Sequence, residues 1–213
     1  MAIEIRIAQT GEDLEAIFRF RYEISVQHPH YLLLLTHKDH EIKRVAEPFD
    51  CTAKIIGAFE DGKVVGTVRV NCARNSDCGF YTKWLGLECA REFHPFHTSI
   101  TTKLMIEERF RGGTLAVRLA KEAFRLAQAE RIEFDFIFCK PQLIRLFTSL
   151  GYRRYRQEVR HTVCGEFTPL VISLSDVQHL EQIRSPFAKM GRQVPVWKEP
   201  VKFFYSNMYT AAA

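Results

Sequence analysis

The chain has 213 residues, of which 46% are hydrophobic and 26% charged, the balance of an ordinary globular protein large enough for one substantial core. Its net charge of +5 is mild and diffuse, so it gives no ground for nucleic acid, which needs a clustered basic stripe, and no run approaches the about 20 apolar residues of a membrane span. The six cysteines form no CxxC pair and no zinc-like spacing with histidine, which points to free thiols in a reducing compartment. With no signal-peptide pattern at the N-terminus, a cytoplasmic, soluble protein is expected. The 17 phenylalanines suit either a large core or an apolar ligand tunnel.

Residues 3–7 alternate with period two and predict an opening strand. Thr10 with Asp13 predicts a capped helix start, with Leu14, Ile17, Phe18 and Tyr22 on one face. Residues 28–47 are rich in histidine and charge without a period, and predict an irregular region. His28, His30, His37 and His40 fit no helical ligand spacing there, so no metal is expected. Residues 53–60 and 64–70, joined at Asp61-Gly62, predict a hairpin. Residues 71–97 are aromatic and poorly periodic, in the manner of an insertion. A strand over 99–106, an amphipathic helix over 114–129, an apolar strand over 134–139 and a helix over 142–150 stopped by Gly151 follow. Last strands are expected at 160–163 and 169–174, and a helix capped by Asp176 runs to Ile183. This order predicts an α+β domain over residues 1–175 around a mixed, mostly antiparallel sheet flanked by helices, with 176–213 a helical or irregular extension packed on it. The stretch 194–209 is aromatic and has no assigned use.

Chemistry concentrates after the strand at 99–106. There Arg111, Gly112, Gly113 and Thr114 lead into a helix at Leu115 and Ala116. Small residues allow close backbone approach, and free first-turn N–H groups with the helix dipole favour a phosphate or pyrophosphate. Turns also use glycine pairs for their own sake. The stretch resembles the acyl-thioester motif of the GNAT superfamily, Gln/Arg-x-x-Gly-x-Gly/Ala, with Arg111 first and Ala116 last. Thr114 stands where the family has its first motif glycine. Phe147-Thr148-Ser149-Leu150-Gly151-Tyr152 resembles the ending of the helix after the family's fifth strand, and residues 55–70 its central hairpin. The resemblance covers roughly residues 3 to 174 and implies the GNAT fold.

A narrower likeness is carried by Phe20-Arg21-Tyr22, Glu47-Pro48-Phe49-Asp50 and Gly66-Thr67-Val68-Arg69. These resemble signatures of the acyl-homoserine-lactone synthases and the related N-acyl amino acid synthases. The stretch 169–180 with Ser185-Pro186-Phe187 is more similar to the latter. That branch takes long acyl chains from acyl carrier protein. The resemblance gives Arg21, Asp50 and Arg69 a substrate-orienting role; buried arginine–carboxylate pairs also serve structure alone. The quorum-signal enzymes carry Glu-x-Ser-Arg where this chain has Ile100-Thr101-Thr102-Lys103, which argues against homoserine lactone as product.

Aminolysis of a thioester needs a neutral amine held against a polarised carbonyl. The donor site is expected along Leu104, Met105 and Ile106, where a strand N–H can meet the developing oxyanion, and at the loop from Arg111 to Ala116. Glu107 and Glu108 are candidate bases or ordinary surface glutamates. Tyr152 is a candidate proton donor to the leaving thiolate or a core tyrosine. The expected function is transfer of a medium or long acyl chain from acyl carrier protein to the amine of an amino acid or similar small acceptor. Arg109, Arg111, Arg118 and Lys121 would meet the acidic carrier. The alternatives are an acetyl-CoA-dependent N-acetyltransferase, with acyl-CoA as donor, and a GNAT-fold binding module without catalysis.

Overall fold

The computed structural model of the chain describes residues 2–27, 38–161 and 165–193. Three of the four histidines considered for metal, and the aromatic stretch 194–209, lie outside the described residues. The strands hydrogen-bond in the order β1-β4-β5-β6-β7-β10-β8, with β9 on β10. These are β1 Ile3–Ile7, β4 Lys54–Glu60, β5 Lys63–Cys72, β6 Thr98–Ile106, β7 Phe134–Cys139, β8 Arg153–Arg154, β9 Val159–His161 and β10 Gly165–Ser173. The sheet is mixed and mostly antiparallel, as expected. The parallel pair is β6 with β7, in register from Thr98 opposite Phe134 to Ile100 opposite Phe136.

The chain divides into two compact units, Met1–Asn71 with Thr101–Ala123, and Cys72–Ile100 with Phe124–Ala213. In the first, helix α1 (Gly11–Gln27) packs Ile17 and Phe18 on Ile55 and Phe59 of β4, and Phe20 and Ile24 on Met105 of β6. Thr10 Oγ1 accepts the Asp13 N–H at 3.1 Å, the expected start. The buried stripe differs from the one read off the apolar residues: Arg21 is buried on α1 and Tyr22 is not. Position 21 lies one turn from both Ile17 and Ile24, so the geometry of the helix puts a guanidinium in the core, where it must be paired.

Part of the segment expected to be irregular is a small hairpin, β2 (Lys38–Asp39) with β3 (Arg44–Val45). Asp39 Oδ1 closes its turn by accepting the N–H groups of Glu41 and Ile42. The Asp61-Gly62 hairpin forms as expected, with both residues at positive φ (48° and 78°), the backbone a tight two-residue turn requires. Helix α3 (Leu115–Ala129) closes this unit at its first turns. Gly66 on β5 lets α3 approach, since a Cβ there would sit 3.0 Å from Leu119 Cδ1 and 3.4 Å from the Met105 carbonyl.

In the second unit, the aromatic insertion forms helix α2 (Gly79–Leu85) and 3-10 turns on either side. β7 and β10 pair antiparallel over six positions, Phe134–Cys139 with Thr168–Ser173. Helix α4 (Ile144–Leu150) ends at Gly151 (φ +123°), where any Cβ would meet Leu180 at 2.5 Å. Helices α5 (Val177–Gln182) and α6 (Ala188–Gly191) follow β10. Asp176 accepts the His179 N–H at 3.1 Å, the cap expected from the sequence. Among the described residues no helix is long and apolar enough to cross a membrane.

Candidate active site

The loop ahead of α3 is built as the sequence suggests. A 3-10 turn, Glu108–Phe110, ends at Arg111, whose backbone is extended. Gly112 takes φ +77° with open space around its Cα, and Gly113 approaches the Phe110 carbonyl. The Thr114 carbonyl accepts the Arg118 N–H at 3.0 Å, so α3 starts directly after it and the amides of Leu115, Ala116 and Val117 have no acceptor within the helix. Arg111 is exposed and its Nε donates to the Ile106 carbonyl at 3.2 Å, which ties the loop to the end of β6. The Glu107 N–H donates to the Val65 carbonyl at 3.0 Å. Leu104, Met105 and Ile106 therefore lie on a strand fixed on one side by β5. Just before them Lys103 sits at φ +55°, a left-handed residue that breaks the even pleat of β6.

Behind this strand lies a buried ion cluster. Arg21 Nη1 donates to Asp50 Oδ1 at 2.9 Å. Arg69 Nη1 donates to the same oxygen at 3.0 Å and to Glu47 Oε2 at 2.8 Å, while its Nε reaches Thr102 Oγ1 at 2.9 Å. Lys103 Nζ donates to Glu47 Oε1 at 2.6 Å. Arg21 and Arg69 are fully buried, and the Lys103 side chain is 5% exposed. Pro48 starts the short turn that holds both acids, and Asp50 Oδ2 accepts the Glu47 N–H at 2.8 Å. Asn71 adds a bond to the Phe49 carbonyl. The trio Arg21, Asp50 and Arg69 is thus brought together from α1, the turn and β5. Glu47 and Lys103 complete it. Lys103 was visible in the sequence only as a departure from a family pattern, because the left-handed backbone it adopts leaves no mark in the residue order.

Burial raises the Glu47 and Asp50 carboxyls, but the cations outweigh it. Lys103 and Arg69 hold Glu47 below the ordinary carboxylate value, and Arg21 and Arg69 do so for Asp50. Lys103 is instead drawn toward its neutral form: burial pulls its ammonium down to about 8 against the pull of Glu47. Both arginines stay charged.

The candidate acids and bases are more committed than their types suggest. Glu107 Oε1 accepts from Arg109 Nε at 2.8 Å, and Arg109 also bonds Glu60. Glu108 is exposed on the 3-10 turn. Tyr152 belongs to the second unit, where its hydroxyl donates to Asp135 Oδ2 at 2.5 Å while Ser99 Oγ donates to Oδ1 at 2.5 Å. Burial, then the Asp135 charge, raise the phenol well above its usual value. Asp135 in the apolar run 134–139 was the sequence signal for this network, since a carboxylate inside a strand core needs buried donors. Among the described residues no group of three or more His, Cys, Asp or Glu side chains is arranged to hold a metal.

The sheet order and the loop opening α3 define a GNAT-fold chain, the architecture expected from the sequence. Among solved structures it is similar to the acyl-homoserine-lactone synthase LasI (TM-score 0.65, 11% identity, 93% of this chain and 99% of that one). It is similar also to FeeM, an N-acyl amino acid synthase from uncultured soil microbes (TM-score 0.63, 13% identity, 89% and 98%). A third is BjaI, a CoA-dependent acyl-homoserine-lactone synthase solved with SAM and isopentyl-CoA (TM-score 0.64, 16% identity, 87% and 91%). No family model and no curated protein matches the chain.

Proposed function

We propose that this chain is an N-acyltransferase that moves a medium or long acyl group from an acyl carrier protein thioester to the amine of an amino acid or similar small molecule. The observation that carries the reading is the buried cluster. Arg21, Asp50 and Arg69, the residues the family resemblance selects, meet within hydrogen-bonding distance beside the strand that leads to the thioester loop. Its neighbours in fold include enzymes that by name make acyl-homoserine lactones and N-acyl amino acids.

In this reading the first-turn amides of α3 and the open space at Gly112 receive the donor's phosphate. The amine nitrogen attacks the thioester carbonyl, the C–S bond breaks, and a strand N–H along Leu104 to Ile106 steadies the oxyanion. Glu107 and Glu108 are the nearest carboxylates in sequence to serve as base, Glu107 only after release from Arg109. Arg111 and Lys121 would face the acidic carrier; Arg109 is held by Glu60 and Glu107, and Arg118 by the Ile3 carbonyl.

Purified protein supplied with medium- and long-chain acyl carrier protein and a panel of amino acids should give N-acyl amino acids by mass spectrometry. No acylated product from any donor overturns the reading. A second reading, with acyl-CoA as donor, is favoured by the CoA-dependent synthases among its fold neighbours. Product from acyl-CoA and none from the carrier would select it.

A further inference from the structure

The corner where β10 runs into α5 is built over a buried acid. Glu133, just ahead of β7, is fully buried, and its Oε1 accepts the Ser173 hydroxyl at 2.5 Å and the Ser175 hydroxyl at 2.8 Å. Oε2 has no partner among the described residues. The Glu133 carbonyl accepts the Leu174 N–H at 2.8 Å, so one residue grips 173, 174 and 175 in turn. The donors around the carboxyl are the two serines, and the charge that acts on it is that of Asp176, a like charge. Asp176 is paired with Arg153 at 3.0 Å and caps α5. His179 on α5 turns its ring to the Gly151 carbonyl at 3.2 Å, and His97, ahead of β6, turns its ring to the Arg131 carbonyl at 2.9 Å. Among the described residues no cation pairs with Glu133, and an unpaired carboxylate is costly in the interior.

Beyond this corner, α5 and α6 form a short arm over the end of α4. Leu180 is fully buried and lies where any Cβ on Gly151 would meet it at 2.5 Å. Ser185 Oγ donates to the Leu150 carbonyl at 2.5 Å, Gln128 Nε2 of α3 to the Met190 carbonyl at 2.6 Å, and Phe187 stacks on Phe124 with centroids 4.6 Å apart. Two short helices held in this way open more readily than β10, which pairs with β7 over six positions.

We infer that the β10–α5 corner is a proton-operated latch: neutral Glu133 closes it by holding Ser173 and Ser175, and loss of its proton releases the arm of α5 and α6 while β7 and β10 stay paired. The latch does not depend on the reaction the protein performs. Burial lifts the Glu133 carboxyl to about 7, with the serines opposing and Asp176 adding to the rise. The closed corner is therefore fully favoured below the ordinary value of about 4.5, and the advantage is lost as pH rises through about 7. Release also uncovers Leu150 and Gly151, the residues that lead into Tyr152.

Hydrogen exchange on the full chain, read by mass spectrometry at about pH 5 and about pH 8 and corrected for the intrinsic rate, tests the latch. Peptides over 174–191 should open up to about 70-fold more at the higher pH, the factor for a carboxyl that returns from about 7 to about 4.5 on opening. Amides over 134–139 should keep their protection. Glu133→Gln retains a carbonyl for both serines but has no proton to lose, so its arm should open equally at the two pH values. Arm exchange that follows the intrinsic rate alone overturns the inference, as does loss of protection in the arm and in β7 together. An undiminished pH response in folded Glu133→Gln overturns it too. Where that variant does not fold, the wild-type contrast between the arm and β7 decides.

Discussion

Glu133 shows how one side chain can set a pH limit on the protein. It is fully buried; Oε1 accepts from Ser173 and Ser175 at 2.5 and 2.8 Å, and Oε2 has no partner among the described residues. Burial lifts its carboxyl to about 7 against those two donors. The folded state therefore prefers the neutral acid. Its contribution is complete below the unfolded value of about 4.5 and is lost as pH rises through about 7, a change on the order of 3 kcal/mol. Glu133→Gln, which stays neutral, should flatten the change in urea midpoint between about pH 5 and pH 8; an unchanged slope would show that another group titrates. Tyr152 is a second such case. Tyr152→Phe leaves Asp135 Oδ2 without its phenol and should cost about 1–3 kcal/mol in denaturant melts. A folded Tyr152→Phe chain with undiminished transfer would place the thiolate's proton elsewhere.

At the scale of elements, the loop into α3 and the end of α4 make opposite uses of glycine. Gly112 stands in open space at φ +77°, so Gly112→Val meets no neighbour but forces a β-branched residue into a left-handed backbone. The expected cost in stability is modest, about 1–2 kcal/mol, and the larger effect is loss of donor binding as the loop shifts. Acyl-CoA affinity unchanged by Gly112→Val would remove the loop from the donor site. Gly151 is different: it is left-handed, and any Cβ would collide with Leu180 and Ile172. Gly151→Ala should destabilise by several kcal/mol, on the order of 3 or more, seen as a large fall in Tm. The helices and the hairpin were legible because their signals are local. The Asp61-Gly62 turn, the Thr10 and Asp176 caps and the Gly151 stop all lie within a few residues of what they determine.

For the molecule as a whole, the cluster ties α1, the turn at Pro48–Asp50, β5 and β6 together through charge. Glu47 and Asp50 are held below the ordinary carboxylate value. Their stabilisation is present above the unfolded pKa and is lost as pH falls through the depressed folded one, so acid unfolding should be steep at the low end. Arg69→Met removes the cation both acids share and should cost about 3–5 kcal/mol at neutral pH, with a shallower acid limb in a pH series of melts. Retention of the full acid slope would mean that Arg21 and Lys103 suffice.

The sequence by itself determined the α+β order, the hairpin, the helix caps and the glycine loop that opens α3, because backbone conformation and capping depend on near neighbours. It also supplied the residue types of the cluster through a family likeness. Only the tertiary structure decided which charges meet. Arg21 and Asp50 stand 29 positions apart, and Glu47 and Lys103 stand 56 apart. Nothing local distinguishes a surface lysine from one buried on a strand with its backbone at φ +55°. Burial then makes these pairings strong, because in the interior each charge must find its partner.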